Sequence, residues 1–175
     1  MKKAYITGAT GAIGMALVGE LLKNGISTTV FLRKDSGRND RVKDSFSREL
    51  ARGLLRIEYV SLEELSGYAL SRNTQDMQTY VSQDLLTNAA GGADTAVFYH
   101  LGWSGTFGEQ RNDADMQQKN VEYTLDAVRL AKRLGCVHFI GVGSQAEYGR
   151  FDGRLTPDTR TLPENEYGRA KLAAG

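Results

Sequence analysis

Two periods of apolar and polar positions alternate along the chain. Residues 3–7 form a short apolar run that predicts a first strand, followed by the glycine turn Gly8-Ala9-Thr10-Gly11-Ala12-Ile13-Gly14. Beyond it Ile13, Leu17, Val18, Leu21 and Leu22 recur at helical spacing, and Asn24-Gly25 supplies a stop. Residues 28–32 are β-branched and apolar and predict a second strand; 35–52 are charged and read as helical; 54–62 supply a third strand. Ser, Gln, Asn and Thr dominate 63–94, which accommodates one or two helices around a Gly91-Gly92 loop. Residues 95–101 read as a buried strand closed by Gly102. A long helix is predicted over 114–134, with Val121, Leu125, Val128 and Ala131 on one face and Gly135 as its cap. Residues 137–142 form a further strand leading into Gly143-Ser144, 149–164 read as loop, and a final helix begins near Asn165. Strands alternating with helices predict an α/β fold, a doubly wound parallel sheet covered on both faces. No linker or repeat divides the chain, so 1–175 is expected to be one domain.

Composition narrows the classes of function. A 175-residue chain with 41% hydrophobic and 25% charged residues is globular, neither disordered nor fibrous. Its 22 Lys and Arg against 21 Asp and Glu leave no basic field for nucleic acid. The single Cys136 excludes an internal disulfide framework and a multi-cysteine zinc site, and no metal is expected. No apolar run reaches the length of a membrane span, and Met1-Lys2-Lys3 lacks the apolar segment of a signal peptide. The expectation is a soluble, cytoplasmic protein. Glycine, at 20 residues, is abundant enough to suggest tight turns or close approaches of backbone to a ligand.

Gly8, Gly11 and Gly14 lie between a strand and a helix, the context a dinucleotide site requires. The first glycine permits the turn, the second lets backbone approach a pyrophosphate, and the third lets helix pack on strand, with free helix N–H groups facing the phosphates. The end of the second strand selects the cofactor. A carboxylate there would hold the ribose 2′-hydroxyl of NAD, whereas Arg33, followed by Lys34, can grip the 2′-phosphate of NADP. NADP is favoured, with NAD as the alternative.

Tyr167-Gly168-Arg169-Ala170-Lys171 sets a phenol and an ammonium one helical turn apart on one face. In hydride chemistry the phenol gives or takes the proton of a hydroxyl. Its free pKa of about 10 is too high for that task near neutrality, and a neighbouring Lys⁺ lowers it. Ser144, at the end of a strand, can donate a hydrogen bond to the same substrate oxygen, or can simply cap a turn.

Five motifs then stand in one order: residues 7–14, Phe98-Tyr99-His100-Leu101-Gly102-Trp103, Asn120-Val121, 144–149 and 167–171. In these the chain resembles the extended short-chain dehydrogenase/reductases, the NAD(P)-dependent epimerase/dehydratase family acting on nucleotide sugars. The resemblance implies a Rossmann fold in which Ser144, Tyr167 and Lys171 match the catalytic set. It implies that Gly8, Thr10, Gly11, Ala12, Ile13, Leu101, Gly102 and Trp103 line the cofactor site, where Tyr167 and Lys171 also meet the cofactor, and that Asn120 lies near the active site. It further implies a nucleotide-sugar substrate, hydride transfer at C4 as a 4-ketoreductase or 4-epimerase, and a homodimer through the 114–134 and 165-onward helices. A non-catalytic NADP-binding sensor, or an inactive fragment of such an enzyme, is the alternative.

Three departures qualify the match. The acid that the family places after the third strand to hold adenine is not evident, with Ser61 favoured as its occupant and Asp84 as the lesser candidate. The Asp-Glu pair of the family's dehydratases is Gln145-Ala146 here, with Glu147 one residue late, which disfavours dehydration. The chain also stops at Gly175, so the C-terminal substrate segment is expected to be missing. Outside the motifs, His100 and His138 read as structural and Cys136 as no nucleophile, while Trp103 and Phe107 could contact nicotinamide or substrate.

Overall fold

The computed structural model describes residues 1–71 and 95–175. These divide into two compact units, one of Met1–Gly102 with Asp126–Ile140, the other of Trp103–Leu125 with Gly141–Gly175.

The first unit is built on strands β1 (Lys3–Thr7), β2 (Ser27–Leu32), β3 (Leu55–Tyr59), β4 (Ala96–His100) and β5 (Cys136–Gly141). Their order is β3-β2-β1-β4-β5, and β1 pairs in parallel with both β2 and β4, as β2 does with β3. The order reverses beside β1, so the turns after β1 and β4 open at one edge of the sheet, where folds of this kind bind ligands. The expected parallel α/β sheet of Rossmann type is thus present.

Strand alternation sends alternate residues to two cores. Ala4, Ile6, Val30 and Leu55 pack with Val18, Leu21 and Leu22 of helix α1 (Ala12–Lys23). On the other face Tyr5, Phe31, Phe98 and Phe139 form a row of rings, with successive centroids Phe31–Tyr5 and Tyr5–Phe98 at 6.4 Å and Phe98–Phe139 at 5.6 Å. Their planes lie within 21° of parallel, because the parallel register sets Tyr5 directly beside Phe98 and Thr7 beside His100.

The segment expected as one helix over 35–52 is two, α2 (Asn39–Ser45) and α3 (Ser47–Ala51). Phe46 leaves the helical conformation between them (φ −127°, ψ 30°) while its ring packs against the first core. The third strand is shorter than expected and ends at Tyr59; the chain then enters a 3-10 turn at Leu62–Glu64 and helix α4 (Leu65–Ser71). Asp84 and the Gly91-Gly92 loop lie outside the described residues.

Helix α5 (Ala114–Arg133) is as long as expected, and of the apolar face read from its spacing only Ala131 is fully buried. Leu125 and Val128 are exposed, and the buried positions are Gln117, Asn120, Thr124, Ala127, Leu130 and Ala131. The second unit explains why. It contains the N-terminal part of α5, 3-10 turns at Gly108–Asn112 and Gln145–Glu147, and helix α6 (Glu166–Ala174). The Asn120 side chain accepts from the N–H of Ser104 (2.8 Å) and donates to the carbonyl of Ser104 (2.9 Å), pairing with that loop as a backbone strand would. Gln117 donates to the carbonyls of Gly105 (2.9 Å) and Gln110 (3.0 Å) and accepts from the Trp103 indole N–H (2.9 Å). Loop backbone that lacks secondary structure must find such partners when buried, and here two amides on one helix face provide them.

Candidate active site

In the first unit the glycine turn joins β1 to α1. Gly8 has φ +73°, a conformation open to glycine. A Cβ on Gly14 would collide with the carbonyl of Gly8 and lie 2.7 Å from the Cα of Ala9, so only glycine lets α1 begin this close to the turn. Gly11 differs. A Cβ there would meet nothing closer than 3.5 Å, so the protein's own packing does not demand glycine at this position. Gly11 is the N-cap of α1 and makes no side-chain cap, which leaves the first helical N–H groups facing outward. Ile13 beside them is 69% exposed. Bare backbone and free N–H donors fit a dinucleotide pyrophosphate.

The turn after β4 approaches this loop. A Cβ on Gly8 would lie 2.6 Å from the backbone of Leu101 and Gly102. Thr7 ties the two together: its hydroxyl accepts from the N–H of Gly102 (3.2 Å) and pairs with Nδ1 of His100 (2.9 Å). His100 is therefore a buried structural residue. Arg33 is exposed at the end of β2, in a turn that also carries exposed Lys34 and Arg38. Asn39, which pattern reading passed over, shapes that turn by donating to the carbonyls of Arg33 (2.9 Å) and Lys34 (3.1 Å); its own Oδ1 is buried without a partner. After β3, the N–H of Ser61 donates to Glu64 (2.8 Å), a bond that draws the Glu64 carboxyl below its usual range. Burial pushes the Cys136 thiol up to about 12, which makes it inert as a nucleophile.

The second unit holds Trp103, Ser144, Tyr167 and Lys171. Helix α6 starts at Asn165, whose side chain caps the N–H of Gly168 (2.8 Å). Gly168 is the residue through which α6 reaches the Ser144 turn: a Cβ there would collide with the carbonyl of Ala146 and lie 3.0 Å from Pro163. Ser144 caps that turn, its Oγ accepting from the N–H of Ala146 (3.1 Å). Capping consumes an acceptor lone pair and leaves the hydroxyl hydrogen available to donate. Glu147 folds back onto the N–H of Ser144.

Trp103, Tyr167 and Lys171 form one cluster. The Trp103 ring meets Tyr167 edge-on, with centroids 6.0 Å apart, and Lys171 Nζ lies 3.5 Å from the Trp103 centroid while donating to the carbonyl of Val142 (2.9 Å). Burial lowers the Lys171 pKa to about 8, against an opposing pull from Glu147. Arg111 lies over the Tyr167 ring at 4.3 Å from its centroid. Arg111 also lines an open cleft of about 460 Å³ with Gln145, Gly149, Arg150 and Asn165. Pattern reading did not single out Arg111; only its place in the 3-10 turn reveals it. Phe107 is exposed and takes no part in the cluster. Among the described residues no helix is long and apolar enough to cross a membrane, and no group of three or more His, Cys, Asp or Glu could hold a metal ion.

The fold is that of several solved sugar-nucleotide enzymes. The UDP-glucuronic acid 4-epimerase of Bacillus cereus, solved with NAD, is 20% identical (TM-score 0.65), with 98% of this chain and 49% of that one covered. For the UDP-Glc/GlcNAc 4-epimerase of Campylobacter jejuni the identity is 20%, the coverage 99% and 47%, and the TM-score 0.69. MoeE5, solved with UDP-glucuronic acid and NAD, is 23% identical over 98% of this chain and 46% of that one, with a TM-score of 0.65. The chain thus spans about half the length of the solved structures it matches. No curated protein matches the sequence. The profile of the NAD dependent epimerase/dehydratase family matches residues 4–175, nearly the whole chain. The chain belongs to the NAD dependent epimerase/dehydratase family.

Proposed function

We propose that this chain is the dinucleotide-binding and proton-handling portion of an enzyme that moves a hydride at C4 of a nucleotide sugar. The observation that carries this reading is the cluster that Trp103 forms with Tyr167 and Lys171 of the helix that reaches the Ser144 turn. When bound, a nicotinamide dinucleotide supplies the acceptor and donor of the hydride. The chain's own residues handle the proton. Tyr167 takes the hydroxyl proton at C4 as the C4 hydrogen departs as hydride, and returns a proton to that oxygen when hydride comes back. Lys171, one turn along the helix, favours the phenolate electrostatically. Ser144 donates its free hydroxyl hydrogen to the reacting oxygen.

The Gly8–Gly14 turn with Thr10, Ala12 and Ile13, and the Leu101-Gly102 turn, are assigned to the dinucleotide, as are Trp103, Tyr167 and Lys171, with Lys171 holding the nicotinamide ribose. NAD is the cofactor supported by the family and by the NAD in the solved neighbours. NADP as first choice rests on Arg33, with Lys34 and Arg38 beside it and no carboxylate at the end of β2. We therefore propose that the chain accepts NADPH as well as NADH. The 4-epimerase neighbours support internal recycling of hydride, and Arg33 supports the second reading, a 4-ketoreductase. Exposed Leu125 and Val128 support a homodimer through α5. A cytoplasmic location is proposed on the lone, half-buried thiol of Cys136, a usage suited to a reducing compartment.

The test is Tyr167→Phe in the enzyme that contains this chain. Turnover of a UDP-sugar should fall by about 10² to 10⁴ while NADH binding persists. Undiminished turnover would overturn the reading, and full retention of a ligand-dependent signal without any turnover would favour the sensor.

A further inference from the structure

Arg111 lies outside every motif of the chain, yet it occupies the most direct position on the proposed acid/base. It sits in the Gly108–Asn112 turn, half-buried, with its guanidinium carbon 4.3 Å from the Tyr167 ring centroid. Among the described residues it has no carboxylate within ion-pairing distance, unlike Arg150 and Arg169, which pair with Glu164 (3.2 Å) and Glu166 (2.9 Å). A half-buried guanidinium without an anion is partly desolvated, which is costly unless another group offsets its charge, and here the aromatic face is that group. The interaction is worth more to a phenolate than to a phenol, because deprotonation adds negative charge to the ring that the cation covers.

We propose that Arg111 is a positioning residue for Tyr167: stacked on the ring, it fixes the phenol's orientation and favours its ionised form. This rests on the reading of Tyr167 as the acid/base. The remaining charges around Tyr167 are otherwise engaged. Lys171, on the same helix, lies over Trp103 and donates to the Val142 carbonyl. Glu147, from the Gln145–Glu147 turn, accepts from the N–H of Ser144. Glu166 and Arg169 on α6 pair with each other, and Arg169 also donates to the Pro163 carbonyl (3.2 Å). Arg111 alone among these places its cation over the ring.

The experiment is an NMR pH titration of the chain carrying ¹³C-labelled tyrosine, with the Tyr167 signal assigned by its loss in Tyr167→Phe. Arg111→Gln should raise the Tyr167 pKa by about 0.5 to 1 unit. Arg111→Lys, which keeps charge but not the planar stack, should raise it by less. Arg150→Gln, in the same cleft but paired with Glu164, should leave it in place. The proposal is overturned if Arg111→Gln shifts Tyr167 by less than about 0.2 unit, or if Arg150→Gln shifts it equally. Should Arg111→Gln not fold, Arg111→Lys decides alone: an upward shift supports the proposal and no shift overturns it. The titration needs neither dinucleotide nor sugar, so its failure is distinct from a failure of hydride transfer.

Discussion

The two units of this chain reach order by different means. In the first, apolar side chains alternate along parallel strands and fill a core on each face, and the polar exceptions are few: Thr7 and His100 pair with each other, and Asn39 holds the turn after β2. In the second, the buried side chains that organise the loops are amides. Gln117 and Asn120, each 1% exposed, bind the backbone from Ser104 to Gln110. The lesson is that the apolar sheet supplies a rigid frame, whereas the proposed proton-handling groups are positioned by hydrogen bonds that fix loops.

That contrast can be broken at its centres. Phe98→Ala removes a fully buried ring from the middle of the aromatic row, and should cost about 3–5 kcal/mol of stability in denaturant unfolding. Asn120→Ala leaves the N–H of Ser104 without its side-chain partner and its carbonyl with only the longer bond from Gln117 (3.5 Å), and should cost about 2–3 kcal/mol. The second change should also disturb Trp103 fluorescence in the folded protein, since Asn120 anchors the next residue of the loop; Phe98→Ala should leave the folded-state signal less altered. A reversed pattern would contradict the division of labour between the units.

The glycines sharpen the same comparison. Gly14→Ala places a Cβ against the Gly8 carbonyl and should destabilise the fold by about 2 kcal/mol or more. Gly11→Ala meets only ordinary contact and should change stability by less than about 0.5 kcal/mol, yet lower dinucleotide affinity at least about tenfold, or 1.4 kcal/mol, because the added methyl faces the ligand.

A smaller effect concerns Lys171. Its pKa in the folded chain is about 8, lowered by burial from the usual 10.5. Between those values the unfolded chain keeps a proton that the folded chain has lost, so this residue makes stability rise with pH from about 8 towards 10.5. Relative to Lys171→Met, the wild-type protein should therefore gain stability across that window, as measured by urea unfolding at several pH values. No change in the difference would contradict the burial of the ammonium.

The sequence is most legible where apolar period decides the outcome. Strands β1, β2, β4 and β5 and helices α1 and α5 fall close to where the pattern predicts them; for β1, β2 and β4 burial leaves little freedom, whereas β5 keeps Val137 and Ile140 exposed and was legible from its apolar run alone. The break at Phe46 was hidden because a ring leaving a helix for the core does not disturb composition. The buried face of α5 was not legible for a clearer reason. Val121, Leu125 and Val128 follow the apolar rule, but Gln117, Asn120 and Thr124 are buried because a loop distant in sequence needs their amides and hydroxyl. Of the site, the glycine turn and the Tyr167–Lys171 spacing were visible as motifs. Arg111, Asn39 and the role of Gly168 were not, because each depends on a contact and not on a spacing.

The most direct measurement of the central claim is a titration of this chain with NADH and NADPH, followed through Trp103, the only tryptophan in the sequence. Saturable quenching by both dinucleotides is predicted, abolished or strongly weakened in Gly11→Ala, with Arg33→Ala weakening NADPH alone. Binding of neither dinucleotide, or undiminished binding by Gly11→Ala, would contradict the account.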